Sequence, residues 1–220
     1  MPIDVLRPSE TNRNVPLPVL TVPQPVSRPG DAPDFSMLEL AAAGATRRPS
    51  LDCSPAEMRD LAYGLVRVLD DTGTALGEWN PHLDPETLRQ GLKAIVLTRL
   101  FDERMFRAQR QGKTSFYMKS TGEEAIACAQ AMVLTRHDMF FPTYRVQGIL
   151  IARGYPLRDL MNQIFSNASD PLRGRQLPIL YSARDYGYFS LSGNVGTQYC
   201  QAVGWAMANA YKNDGHIAAG

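Results

Sequence analysis

The chain has 220 residues, of which 44% are hydrophobic and 20% charged, with a formal net charge of +1. That balance suits a globular chain with a core of its own, and so small a charge gives no global attraction to nucleic acid or an anionic membrane. The first ten residues lack the basic and apolar regions of a signal peptide, and no stretch approaches the roughly 20 apolar residues that span a bilayer. Cys53, Cys128 and Cys200 fit neither metal nor disulfide spacing, so reduced thiols in a cytoplasmic protein are expected.

Nine of the sixteen prolines fall in residues 1–50. Proline removes backbone donors and breaks helices, so residues 1–60 are expected to form an extended N-terminal arm. Residues 61–83 follow as a hairpin and linker, with strand-like runs Tyr63–Leu69 and Thr74–Trp79 around the turn Asp70-Asp71-Thr72-Gly73. The main domain is expected over 84–220. Asp84 as N-cap and Pro85 at the first helical position open a helix, and Leu88, Leu92, Ile95, Val96 and Leu100 continue it at helical spacing until Gly112. A second helix starts in STGEEAIACAQAMVL, where Ser120 and Glu123 have capping-box spacing. Met139–Phe141 is a short strand, Tyr144–Arg153 and Leu157–Phe165 are helices, Tyr188–Leu191 is a strand, and Val195–Lys212 is a long helix rich in small residues. The final His216-Ile217-Ala218-Ala219 looks like the opening of a strand whose backbone groups lack partners. This alternation predicts an α/β fold with a mostly parallel sheet flanked by helices.

Two stretches carry candidate chemistry. In FFPTYRVQG, Tyr144 and Arg145 follow a strand and precede a helix, at the carboxyl end of a sheet strand, where ligands bind. Arg145 there suits a phosphate, with the Tyr144 hydroxyl as a second donor. The structural alternative is that Tyr144 packs and Arg145 pairs with a carboxylate. In SLSGNVGTQ, Ser192, Asn194, Thr197 and Gln198 offer neutral oxygens within one turn, which suits a monovalent cation or a polar ring edge; ordinary capping by Asn194 and Ser192 is the alternative. Glu123 and Glu124 are adjacent at a helix start, where carboxylates satisfy the helix dipole rather than face each other. His82, His137 and His216 have no ligand spacing, and no Walker or dinucleotide fingerprint is present.

Four stretches in order, SFYMKSTGEEA, DMFFPTYRVQG, GRQLP and SLSGNVGTQYCQAVGWAMA, resemble the alpha subunit of branched-chain 2-oxo acid dehydrogenases, thiamine-diphosphate-dependent decarboxylating enzymes. The resemblance covers about residue 60 onward, and the proline-rich arm is similar to the N-terminal extension of the bacterial type. It implies a thiamine-diphosphate-binding fold, incomplete at its C-terminus. The implied activity is oxidative decarboxylation of a small branched-chain 2-oxo acid, with acyl transfer to the lipoyl group of an acyltransferase component. It also implies a beta subunit partner in an α2β2 heterotetramer. Tyr144 and Arg145 match the diphosphate ligands, Gly193 and Val195 the turn that meets the aminopyrimidine ring, and Ser192, Asn194, Thr197 and Gln198 a potassium site. Phe116 and Tyr117 fall where the family lines its substrate pocket.

The chain departs from the family pattern at Thr143, often Gln, and at Gly193-Asn194-Val195-Gly196, often Ser-Pro-Leu-Ala. No catalytic residue is assigned, since the resemblance implies that the activating carboxylate comes from the beta subunit. The Gly-Asp-Gly turn and asparagine that hold Mg²⁺ in the family would follow the last strand, beyond Gly220. Marginal stability and exposed apolar edges are therefore expected. Two other readings stand beside the enzyme: a non-catalytic fragment that only docks a beta subunit, and a module binding a phosphorylated metabolite at Tyr144 and Arg145.

Overall fold

A computed structural model describes Ala32, residues 41–63 and residues 65–220. The chain divides into two compact units at Pro81–His82. Most of the expected proline-rich arm lies outside the described residues; its last part, 41–60, is not extended. It forms turns folded onto the hairpin of the first unit, with the Gly44 N–H on the Arg67 carbonyl (2.8 Å) and the Trp79 indole N–H on the Arg47 carbonyl (3.0 Å). Arg59–Tyr63 is a 3₁₀ turn, so the first hairpin run begins later than its composition suggests. The predicted turn is present: the Asp70 carboxylate accepts from the N–H groups of Thr72 and Thr74. The ladder itself is short, with Leu69 bridging Ala75.

The second unit carries five α-helices among its described residues. α1 (Pro85–Arg110) starts where expected, because the Asp84 carboxylate accepts from the N–H groups of Glu86 and Thr87, both at 2.9 Å. Its apolar periodicity does not mark its buried face, however. Leu88, Leu92, Val96 and Leu100 are exposed, whereas Thr98, Phe101, Asp102, Met105 and Ala108 are buried. α2 (Glu124–Val133) has no capping box. The Ser120 hydroxyl donates instead to Asp102 Oδ2 at 2.8 Å, because a buried carboxylate left unpaired would cost more than a bare helix end. Glu124 is buried against Arg99 at 2.6 Å, and that hydrogen bond holds its carboxyl below the ordinary value against the opposing effect of burial.

β1 (Met139–Phe140) leads through a turn to α3 (Gln147–Ala152), then α4 (Leu157–Ile164). α3 thus begins later than predicted and leaves Tyr144 and Arg145 in the preceding turn. It packs on α1 and α2 at Gly148, whose missing Cβ would lie 3.2 Å from the Ala127 methyl and 3.5 Å from Cys128 Sγ. α5 (Thr197–Lys212) precedes β2 (Ala218–Ala219). β2 pairs in parallel with β1, Met139 opposite Ala218 and Phe140 opposite Ala219. The terminal run is thus hydrogen-bonded rather than bare. On the other side of β1, Tyr188 forms a parallel bridge to Phe140, so the predicted strand 188–191 is reduced to one bridging residue. These pairings give the α/β architecture a small parallel sheet around Phe140.

A buried arginine and a buried aspartate hold this sheet. The Arg153 guanidinium lies 4.5 Å from the Phe140 ring and donates to the carbonyls of Thr135 (2.7 Å) and Tyr186 (2.6 Å). Asp138 accepts from the Ile217 N–H at 2.8 Å and from the Thr135 N–H and hydroxyl, tying the start of β2 to the start of β1. Gly187 has φ 62°, and a Cβ there would strike the Asp138 carbonyl and the Arg153 guanidinium. Gly187→Ala is therefore expected to cost at least about 2 kcal/mol, measured by chemical denaturation; an unchanged midpoint would contradict this packing.

Burial pushes the Asp138 carboxyl up, but the bonds from Ile217 and Thr135 and the charge of His216 outweigh it, leaving it below its ordinary 3.8. A carboxyl depressed on folding contributes stability above its unfolded pKa, and that contribution is lost as pH falls through the folded value. Thermal melts should therefore lose an Asp138-dependent component below about pH 3.8, and Asp138→Asn should show a shallower acid limb than the wild type. Equal slopes would rule out this role.

Candidate active site

The parallel arrangement around Phe140 sends two turns to the same edge of the sheet. One follows β1 and carries Tyr144 and Arg145; the other follows Tyr188–Leu191 and leads into α5. Together they line a cleft of about 190 Å³ whose walls include Phe141, Tyr144, Arg145, Gly193, Val195 and Gln198. All four residues assigned by resemblance to the cofactor thus meet in one cavity, with one of the four potassium candidates. Tyr144 is half-buried against the core. Arg145 is exposed, and its guanidinium stands 5.9 Å from the Tyr144 ring and donates to the Lys119 carbonyl at 3.2 Å. Among the described residues it has no carboxylate within ion-pair distance, so its charge faces the cleft uncompensated.

The turn before α5 is closed by its own side chains. The Thr197 hydroxyl donates to the Asn194 carbonyl at 2.7 Å, the Ser192 hydroxyl lies 3.3 Å from Thr197 Oγ1, and Gln198 Nε2 donates to the Ser192 carbonyl at 3.2 Å. These contacts gather neutral oxygens in a small volume, a donor set that suits a monovalent cation. Gly196 occupies the N-cap with no side-chain cap bond, and the Ser192 hydroxyl accepts from the Asn194 N–H at 3.3 Å. Gly193 has nothing within 4 Å of where a Cβ would sit, so it is open on that side.

Mg²⁺ does not fit the described residues. No Asp or Glu side chain lines the cleft, and among the described residues no three His, Cys, Asp or Glu side chains converge, whereas a hard dication needs oxygen ligands. His137 and His216 do stack, with ring centroids 5.4 Å apart, a proximity their sequence separation concealed.

Phe116 and Tyr117 are placed differently from each other, and neither lines the cleft. Phe116 is 39% exposed. Tyr117 is buried, with its hydroxyl donating to Asp102 Oδ1 at 2.6 Å. Burial, then the neighbouring Tyr181 and Asp102, push the phenol far above its ordinary value, so it remains a donor. Asp102 is the residue the sequence reading missed. It is 1% exposed and accepts four hydrogen bonds: from the Tyr117 hydroxyl, the Ser120 N–H (2.6 Å), the Ser120 hydroxyl and Gln147 Nε2 (2.6 Å). A signal was available, since Asp102 falls on the helical face of Phe101, Met105 and Ala108.

Residues 92–219 match the family described as dehydrogenase E1 component, and residues 16–56 match the 2-oxoisovalerate dehydrogenase E1 alpha subunit N-terminal family. The chain belongs to the dehydrogenase E1 component family. It is 59% identical over 199 residues to the 2-oxoisovalerate dehydrogenase subunit alpha of Pseudomonas aeruginosa, covering 90% of this chain and 48% of that protein. It is 40% identical over 143 residues to the mitochondrial subunit alpha 2 of Arabidopsis thaliana, covering 64% and 30%. Identity to the mitochondrial subunit alpha of Mus musculus is 35% over 154 residues, covering 70% and 35%. The chain thus spans about half the length, or less, of these curated relatives. No helix among the described residues is long and apolar enough to cross a membrane.

Proposed function

We propose that this chain contributes the alpha-subunit half of a thiamine-diphosphate site in a cytoplasmic branched-chain 2-oxo acid dehydrogenase. A single observation carries the reading. The two turns matched to opposite ends of the cofactor, one with Tyr144 and Arg145 and one with Gly193 and Val195, line the same cleft. Arg145 brings an uncompensated guanidinium for the diphosphate, and Tyr144 a hydroxyl donor beside it. The backbone of Gly193 and Val195 would hold the aminopyrimidine ring. Ser192, Asn194, Thr197 and Gln198 would hold a potassium ion that ties the oxygens of that turn together. When bound, thiamine diphosphate supplies the nucleophile and electron sink for decarboxylation of a 2-oxo acid; the protein binds, orients and shields it. Phe116 lies outside the cleft with exposed apolar surface, and Tyr117 supports that segment from the core. No role is derived for Mg²⁺ from the described residues.

A beta subunit completes the site in this reading, within an α2β2 assembly that passes the acyl group to a lipoylated acyltransferase. Two features support it. No Asp or Glu side chain lines the cleft, so the activating carboxylate has to come from elsewhere. An apolar stripe also starts at the cleft and runs along α5: Tyr199, Val203, Met207 and Tyr211 are each more than half exposed, at four-residue spacing on one side of the helix. The same stripe favours the second reading, a fragment that docks a beta subunit without chemistry.

Calorimetric titration with thiamine diphosphate separates the two. The catalytic reading predicts binding that Arg145→Ala weakens at least about tenfold, the loss of a charge-assisted contact. Equal binding by wild type and variant would contradict it. Stable association with a beta subunit, without cofactor uptake, would establish the docking reading instead.

A further inference from the structure

We infer that Asp102 is the positioning residue for Arg145, acting on both elements that aim its guanidinium into the cleft. This deepens the functional reading above and rests on it. Arg145 has two supports. Its guanidinium is held by the Lys119 carbonyl at 3.2 Å, and its backbone lies in the turn that enters α3 at Gln147. Asp102 grips each support from the core. Through Oδ2 it accepts from the Ser120 N–H at 2.6 Å and the Ser120 hydroxyl at 2.8 Å, which fixes the Lys119–Ser120 peptide and hence the carbonyl that Arg145 uses. Through Oδ1 it accepts from Gln147 Nε2 at 2.6 Å, which fixes the first residue of α3. The Tyr117 hydroxyl takes the remaining place on Oδ1 at 2.6 Å.

Four donors on two oxygens are what an acceptor-only carboxylate accommodates. Asp102, Ser120 and Gln147 are all at most 1% exposed, so water does not replace a lost bond. Gln147 also reaches the Met118 carbonyl at 3.3 Å, closing a loop of contacts between α1, the 118–120 segment and α3. Its own Oε1 is buried without a partner. The Gln147 side chain is thus oriented by what its amide donates to, and Asp102 is the charged acceptor. Asp102 itself does not line the cleft, so its effect on binding is indirect, through the segments that hold Arg145.

The test is a double-mutant cycle on thiamine diphosphate binding, with the protein assembled with its beta subunit. Asp102→Ala is expected to weaken binding roughly tenfold in the wild-type background and less than about twofold in the Arg145→Ala background, since its effect passes through that guanidinium. The same loss in both backgrounds would overturn the inference and leave Asp102 a purely structural residue. If Asp102→Ala does not fold, Gln147→Met keeps the volume and removes the bonds to Asp102 and the Met118 carbonyl while leaving the Asp102–Ser120 bonds in place, with the same pattern expected.

Nuclear magnetic resonance of the arginine side chains supplies a readout that needs no cofactor. The Arg145 guanidinium signal, assigned by its loss in Arg145→Lys, should be sharp in the wild type and averaged in Asp102→Ala; an unchanged signal would overturn the inference. Equal cofactor binding by wild type and Arg145→Ala would instead sink the functional reading, and the arginine signal would then decide the positioning role by itself.

Discussion

Phe140 is hydrogen-bonded in parallel on one side, its N–H to the Gly187 carbonyl at 2.8 Å and its carbonyl to the Phe189 N–H at 2.9 Å, with β2 beside it on the other. The cleft depends on this pairing. Parallel neighbours end at the same edge, so the turns that leave them open side by side. Had the 187–189 segment run antiparallel, its turn would lie at the far end of β1, and Tyr144 and Gly193 would not share a cavity. The pairing in turn needs an unusual interior, with Arg153 spread over backbone carbonyls and Asp138 holding Ile217. Both are buried polar groups that hydrogen bonds must satisfy.

A second layer sits behind the cleft. α1, α2 and α3 pack at Gly148, and the Asp102 cluster lies where α1 and α3 meet the 117–120 segment. The chain therefore separates two tasks. Exposed groups at the turns, Arg145 and Gly193, line the cleft, while buried carboxylates and amides bond the segments behind it. A ligand-facing arginine on a turn would otherwise sample many rotamers, and holding it costs side-chain entropy that binding would have to offset.

The turns were legible because their chemistry is local. Asp84-Pro85 caps α1 through bonds within three residues, and the Ser192–Gln198 oxygens all lie within one turn. What was illegible depends on distant partners. Asp102 sits in RLFDERMF among other charges, and nothing nearby shows that Tyr117, Ser120 and Gln147 converge on it. The Ser120 N–H had two possible acceptors, the Glu123 carboxylate of a capping box and Asp102, and the buried one won. Leu88, Leu92, Val96 and Leu100 follow the helix period but face outward, because periodicity reports an apolar face and not what covers it. The strand expected at 188–191 reduced to one bridge, since β propensity cannot state how many residues find a partner.

Amide chemical-shift mapping during titration with thiamine diphosphate tests the shared cleft most directly. The account predicts shifts at Tyr144–Val146 and Gly193–Thr197 together, saturating at one concentration. Shifts confined to one turn, or saturating at different concentrations in the two, would contradict it.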